Sequence, residues 1–130
     1  MILIDSYTRI SETKAVAEKQ FSPGDFGCTN GFVLEPILIE CMAQTVAAHH
    51  GFKALKTKET RPSKGMLVSV DSFEFFHPVP HTTAISIAIS KTDEIGPFHL
   101  ISGEIKTQDT LLAKGTIKIF NQQTDSGIIE

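Results

Sequence analysis

The chain has 130 residues, 41% of them hydrophobic, so it can bury one core but is short for two ordinary domains. Its net charge of -3 argues against non-specific nucleic-acid binding, which calls for a basic stripe. The longest nearly apolar stretch, residues 36 to 48, is shorter than the roughly 20 residues that cross a bilayer. Because the first residues also lack the features of a secretion signal, we expect a cytoplasmic protein without a membrane span.

The first part of the chain predicts a β-hairpin followed by a loop. Residues 2 to 9 and 14 to 21 are two runs rich in β-forming residues, and the turn-forming triplet Ser11-Glu12-Thr13 separates them. Residues 22 to 31 contain three glycines and one proline, and this composition predicts a loop of about ten residues.

A buried helix is predicted from residue 36 to residue 50. Pro36 suits its first turn, where the missing N–H costs nothing, and Gly51 suits its end. Apolar side chains point in almost every direction of this helix, which is typical of a helix buried on all sides. Glu40 and Gln44 are the exceptions, and their spacing places them one turn apart on the same side.

Four further strands are predicted after the helix, at residues 65 to 76, 84 to 90, 98 to 107 and 113 to 120. In the last three, isoleucines alternate with polar or small side chains, so each strand has one face toward water. Only one helix is available to cover the apolar face of six strands, so the sheet must curl round it. We therefore predict an α+β fold in one domain, residues 1 to 120, with a loose tail at 121 to 130.

Two interpretations of Glu40 follow from its place on an apolar helix. Burying a carboxylate without partners costs several kcal/mol or forces it to take up a proton. One interpretation is structural: Glu40 faces water at a dimer seam or forms a hydrogen bond with Gln44. The other is a general acid or base in an apolar slot, where desolvation keeps a proton available. The residues alone leave both open.

The helix carries a motif that resembles one in a known family. Leu38-Ile-Glu-Cys-Met-Ala-Gln44 is similar to the helix motif of the bacterial 3-hydroxyacyl-(acyl carrier protein) dehydratases, in which Glu or Asp precedes an apolar pair, Ala and Gln. The chain also resembles divergent dehydratase-like proteins of polyene and polyketide-type lipid pathways. Other segments resemble the strands and turns of the dehydratase family: residues 2 to 5, 15 to 19, 73 to 80, 103 to 104 and 112 to 113.

The resemblance implies a hotdog fold, which is a curled antiparallel sheet of about six strands wrapped around one central helix, with an active site across a dimer interface. It implies loss of water from a 3-hydroxyacyl thioester to give the trans-2-enoyl thioester, with Glu40 as the helix carboxylate. The resemblance also implies four substrate-binding residues: Gln44, Phe26, Ile37 and Leu38. Near the last two, N–H groups at the helix N-terminus can stabilise an enolate-like oxygen. No metal and no cofactor are implied.

The loop before the helix departs from the family pattern. The family carries a catalytic His in a Gly-His-Phe-Pro segment, whereas residues 22 to 31 contain no histidine. Gly24-Asp25-Phe26 is the nearest counterpart and places Asp25 where the histidine would be. An Asp is a much poorer base for a weakly acidic carbon unless burial strengthens it. Either Asp25 has been retuned, another residue substitutes, or the chemistry has been lost.

Three functions are consistent with these residues. The first, which we favour, is a dehydratase that uses Glu40 with Asp25 or with a residue of a neighbouring subunit. The second is a non-catalytic or half-equipped subunit that binds carrier protein or acyl chain and pairs with a complete partner. The third is a hotdog thioesterase, in which Glu40 or Asp25 activates water. The family resemblance implies a homodimer or a heterodimer with a related hotdog subunit.

A basic segment follows the predicted helix. Residues 53 to 64 contain one acid and five basic residues, namely Lys53, Lys56, Lys58, Arg61 and Lys64. Acyl carrier proteins are strongly acidic, so this segment would attract one, and salt would weaken the attraction. The alternative interpretation is a solvated loop without a partner.

Overall fold

The computed structural model describes the backbone of residues 3–56 and 67–120, and their side chains except at 50–56 and 67–68. In chain order these residues form β1 (Ser6–Arg9), β2 (Lys14–Gln20), β3 (Cys28–Thr29), β4 (Phe32–Val33), α1 (Glu35–Lys56), β5 (Leu67–Phe75), β6 (Ala84–Ile95), β7 (Phe98–Thr107) and β8 (Thr110–Phe120). No helix among the described residues is long and apolar enough to span a bilayer.

Six of the strands form one antiparallel sheet in the order β1-β2-β6-β7-β8-β5. The strand that precedes the loop, β2, and the strand that follows the helix, β5, therefore lie on opposite sides of the β6-β7-β8 meander. The helix α1 packs against β1, β2, β6 and β7. The predicted architecture, one helix against a six-stranded antiparallel sheet, is confirmed.

Alternating side chains build the helix-facing side of the sheet. In β6, Ile85, Ile87 and Ile89 are buried, whereas Ser86 and Ala88 between them are not. The predicted inward isoleucines of the next two strands are buried as well: Ile101, Ile105, Ile117 and Ile119. Because successive residues of a strand face opposite sides of a sheet, the period-two pattern located the core face correctly.

Two paired glycines allow close packing on this face. A Cβ atom at Gly103 of β7 would overlap the Sδ and Cε atoms of Met42, a fully buried side chain of α1. Gly103 pairs with Gly115 of β8, where a Cβ atom would overlap the ring of Phe73. The missing side chains thus make room for the helix on one strand and for an aromatic ring on the next.

The bounds of several elements differ from those predicted. α1 continues past residue 50 to Lys56, because one interior glycine costs a helix only about 1 kcal/mol and the residues after Gly51 are helix formers. β1 begins at Ser6 rather than at residue 2, β6 continues to Ile95 and β8 begins at Thr110. The predicted tail, residues 121 to 130, lies outside the described residues.

The predicted loop between β2 and α1 contains a small hairpin. β3 and β4 pair through a turn in which Asn30 has a φ of 52° and Gly31 a φ of 86°. Positive φ at both central residues defines a type I′ turn, for which Asn-Gly is a preferred sequence. The Asn-Gly dipeptide is therefore a local signal for this hairpin within the segment predicted to be a loop.

Candidate functional site

The helix α1 has one side that the sheet does not cover. Its sheet-facing side is buried and consists of Leu38, Cys41, Met42, Thr45, Val46 and His49. On the other side, Pro36, Glu40 and Ala47 are exposed and Gln44 is half-buried. We call these four residues the outward stripe. The prediction of a helix buried on all sides is therefore wrong for this chain, because the sheet reaches round only part of the helix.

The two polar residues of the outward stripe are linked by hydrogen bonds. Gln44 Nε2 donates to Glu40 Oε2 at 3.3 Å. At its other end, Gln44 Oε1 accepts a hydrogen bond from the main-chain N–H of Leu3 at 2.6 Å. The structure thus brings Glu40 and Gln44 together, as their spacing predicted, and adds the N-terminal segment as a third member.

Asp25, the second predicted catalytic residue, is part of a turn in the loop before the helix. Its Oδ2 atom accepts from the main-chain N–H of Ser22 at 2.7 Å, and its own N–H donates to the Ser22 carbonyl at 3.0 Å. Its carbonyl accepts from the N–H of Cys28 at 3.1 Å. Asp25 is half-buried, and no hydrogen bond joins it to Glu40 within the described chain. The Asp25 carboxylate therefore stabilises the turn in this loop.

The loop docks on the N-terminus of α1 through a glycine. Gly27 has a φ of 89°, and a Cβ atom there would overlap the side chain of Ile37. The Gly27 carbonyl accepts from the N–H of Leu34 at 2.8 Å, and the Leu34 carbonyl accepts from the N–H of Ile37 at 3.0 Å. Side chains of the predicted substrate-binding residues Ile37 and Leu38 lie in the core, whereas Phe26 is 65% exposed.

Two histidines have environments that the sequence did not predict. Both ring nitrogens of buried His49 are bonded, Nδ1 to Tyr7 Oη at 2.8 Å and Nε2 to the Glu12 carbonyl at 2.6 Å, so this residue ties α1 to the β1-β2 hairpin. His81 lies against the β3-β4 turn, and its N–H donates to the Gly31 carbonyl at 3.0 Å. Its ring Nδ1 is buried and has no hydrogen-bond partner in the described chain.

Cys28 and Cys41 are both free thiols. Burial raises the pKa of Cys41 to about 12, and it also raises the pKa of Cys28, with the Asp25 carboxylate adding to the effect. A raised pKa leaves little thiolate near neutral pH, so neither thiol is activated as a nucleophile. Within the described residues, no group of three or more His, Cys, Asp or Glu side chains is arranged to hold a metal ion.

The predicted docking segment falls largely outside the described part of the chain. Lys53 and Lys56 belong to the last turns of α1, and their side chains are not described. Lys58, Arg61 and Lys64 lie outside the described residues. The docking hypothesis therefore still rests on charge alone.

Comparisons with known proteins agree with this architecture. A family model described as ApeP-like, ApeP dehydratase, matches residues 1–130 of the chain. The matched residues include the helix motif, the loop before it and all six strands of the main sheet. No curated protein sequence matches the chain significantly.

Solved structures match as well. The dehydratase heterocomplex ApeI:P from Xenorhabdus doucetiae matches with a TM-score of 0.75 and 17% identity, over 99% of this chain and 90% of that one. AziG from S. sahachiroi matches with a TM-score of 0.69 and 16% identity, over 89% of each chain. An uncharacterized protein from Pyrococcus horikoshii matches with a TM-score of 0.72 and 10% identity, over 93% of this chain and 84% of that one. At such identities the similarity shows the fold alone, and it confirms the predicted hotdog fold.

Proposed function

The chain belongs to the ApeP-like dehydratase family, and from this premise we propose that it removes water from a carrier-protein-bound 3-hydroxyacyl thioester, in fatty-acid or polyketide-type lipid synthesis. The product is the trans-2-enoyl thioester. We propose further that the chain works as a dimer with a hotdog subunit, either a second copy or a related chain. In this dimer the outward stripe of α1 lines the site.

The observation that carries the proposal is the position of Glu40. It is the one carboxylate among the residues of α1 whose side chains are described beyond the first turn, and it lies on the uncovered side of the helix. Its Oε2 atom is held by Gln44. A second subunit that covers the outward stripe would exclude water from Glu40 and create the enclosed slot that a general acid or base needs.

The chemistry requires two groups. One removes the proton on the carbon next to the thioester carbonyl, and the electron pair left there forms the double bond as the 3-hydroxyl departs. The other donates a proton to the departing hydroxyl, so that water leaves. Glu40 supplies one of these groups, and we propose Asp25 or a residue of the neighbouring subunit for the other. The hydrogen bond from Ser22 N–H holds Oδ2 of Asp25 in one orientation and leaves Oδ1 for a reacting proton.

A second candidate function is that of a partner subunit that supports catalysis by a complete hotdog chain. Two observations favour it. The loop before α1, residues 22 to 34, contains no histidine, and the structure from Xenorhabdus doucetiae is named as a dehydratase heterocomplex, ApeI:P. In this function the chain would contribute its helix face and hold the acyl chain without completing the chemistry alone.

The thioester donor we propose is an acyl carrier protein, which is acidic. The five basic residues between 53 and 64 would attract it through long-range charge, which speeds association at low ionic strength. Such steering weakens as salt rises above roughly 0.1 M, where the screening length is about 10 Å.

The test is an assay of the purified chain on a 3-hydroxyacyl carrier-protein thioester, alone and with candidate hotdog partners. We expect enoyl product, and we expect Glu40→Gln to lower kcat about 100- to 10,000-fold, because an amide can neither give nor take the proton. Glu35→Gln is the matched control, since Glu35 is also an exposed glutamate of α1. Asp25→Asn keeps an acceptor for Ser22 N–H while removing the base.

The outcomes separate the candidates. Enoyl product from the chain alone, lost in Glu40→Gln, supports the dehydratase. Enoyl product that needs a partner and survives Glu40→Gln supports the partner subunit instead. Free thiol without enoyl product would indicate a thioesterase. If Asp25→Asn retains full activity, the second group comes from the neighbouring subunit.

A further inference from the structure

The segment before β1 contacts the candidate site through the main-chain N–H of Leu3, which donates to Gln44. The family motif on the helix does not predict this contact. We infer that Leu3 is a positioning residue: its main-chain N–H orients the Gln44 amide so that the amide nitrogen holds the Glu40 carboxylate. The inference rests on the proposed role of Glu40. It makes the N-terminal segment, residues 3 to 5, a working part of the site rather than a simple extension of the hairpin.

The segment is anchored on both sides of the contact. The Leu3 side chain is only 6% exposed and belongs to the hydrophobic core. Two residues later, Asp5 N–H donates to the Glu18 carbonyl at 2.7 Å, and Asp5 Oδ2 accepts from Gln20 N–H at 2.9 Å. Lys19 Nζ lies 3.2 Å from Asp5 Oδ1. The N–H of Leu3 is therefore held in place by packing and by hydrogen bonds to β2.

Because the Leu3 N–H is held in place, it determines which end of the Gln44 amide faces it. A primary amide has an acceptor end and a donor end, and the two can exchange by rotation about the last side-chain bond. A main-chain N–H can only donate, so it binds the oxygen end, and the distance from Leu3 N to Gln44 Oε1 is 2.6 Å. The NH2 end must then face Glu40, where it donates to Oε2 at 3.3 Å. Without Leu3, the oxygen end could rotate toward the carboxylate and repel it.

The consequence for catalysis is geometric. Gln44 engages Oε2 and thereby restricts rotation of the Glu40 carboxyl, which leaves Oε1 for the substrate. Glu40 is exposed on the outward stripe, so no packing in the described chain would restrict it otherwise. Displacing a reacting group by about 1 Å can cost a factor on the order of 100 in rate. Losing this orientation should therefore lower kcat by more than it raises KM, because Leu3 acts on the reacting carboxylate through Gln44.

The test compares Leu3→Pro with Leu3→Ala. Both variants lose the buried leucine side chain, but only proline lacks the N–H. We expect kcat of Leu3→Pro to be about 10-fold or more below that of Leu3→Ala, because both variants lose the leucine packing and only Leu3→Pro also loses the N–H. The assay uses the full chain, with whichever hotdog partner it needs. A readout independent of turnover is the pair of Gln44 side-chain NH2 signals in NMR, which should stay shifted and protected from exchange in Leu3→Ala only.

Equal kcat in the two variants would overturn the inference, and so would unchanged Gln44 signals in Leu3→Pro. If Leu3→Pro does not fold, Gln44→Met takes its place, because it removes the amide, and with it the hydrogen bonds to Leu3 and Glu40, while keeping the length of the side chain. A folded Gln44→Met with normal kcat would also overturn the inference. Should the unaltered chain show no turnover with any partner, the proposed function fails, but the Gln44 signals still decide whether Leu3 orients the amide.

Discussion

The two sides of α1 show how one helix serves both the fold and the site. The sheet-facing side is closely packed, since Met42 contacts the backbone of Gly103 where a Cβ atom would not fit. The outward stripe carries the polar pair Glu40 and Gln44 and leaves Glu40 exposed. One side therefore determines where the helix lies, and the other is free to be specialised for chemistry.

This division explains why a carboxylate is tolerated on so apolar a helix. Had the chain alone buried Glu40, desolvation would have disfavoured its charged form during folding. On the outward stripe the chain does not bear that cost, because Glu40 is exposed. The residues that stabilise the fold and those of the proposed site are therefore different, and substitutions can test each separately.

The largest expected effect on stability is on the sheet-facing side. Met42→Ala should lower the free energy of unfolding by about 2–5 kcal/mol, because it leaves a cavity against Gly103 that the strands cannot fill. Chemical denaturation of the purified subunit measures this. Ala47→Ser, on the outward stripe, is the control and should change stability by less than about 0.5 kcal/mol. A mild effect of Met42→Ala would show that this side is less tightly packed than the contacts indicate.

A pH-dependent effect is expected from Cys41, which is on the same side. Burial raises its pKa to about 12, from an ordinary value of 9.0, so the folded chain keeps a neutral thiol where the unfolded chain would ionise. Stability should be fully present below about pH 9 and decline as the pH rises toward 12, by at most about 4 kcal/mol. Unfolding curves across this range measure the slope.

Cys41→Ala should flatten that slope, and Cys28→Ala should flatten it less. Some slope should remain in Cys41→Ala, because burial also raises the pKa of Tyr7 and acts in the same direction. An alkaline slope that is identical in the unaltered chain and in Cys41→Ala would contradict the assignment to this thiol.

The smallest effect on stability is expected at the residue with the largest proposed role in catalysis. Glu40→Gln should change the free energy of unfolding of the isolated subunit by less than about 0.5 kcal/mol, since the side chain is exposed and its one described hydrogen bond is long. Thermal or chemical unfolding checks this. A loss of several kcal/mol would mean that Glu40 is a structural residue, and the comparison between the two sides would break down.

Much of the framework was predictable because it depends on local patterns. The isoleucine alternation of β6, β7 and β8 identified the core face, and the i, i+4 spacing of Glu40 and Gln44 placed them on one side of the helix. The Asn30-Gly31 turn also follows from a local pattern, because Asn-Gly is a preferred sequence for a type I′ turn. The predicted helix end at Gly51 was wrong, because the low helix propensity of one glycine is outweighed by the higher helix propensity of its neighbours.

The sequence by itself determined the six strands of the main sheet, the helix and the two polar residues that share a helix side, because these follow from side-chain periods of a few residues. Only the tertiary structure decided that the sheet leaves the outward stripe uncovered among the described residues, that His49 forms a hydrogen bond with Tyr7 of the β1-β2 hairpin, and that Leu3 contacts Gln44. Those contacts join residues about forty positions apart, so they depend on the path of the whole chain and not on any local pattern.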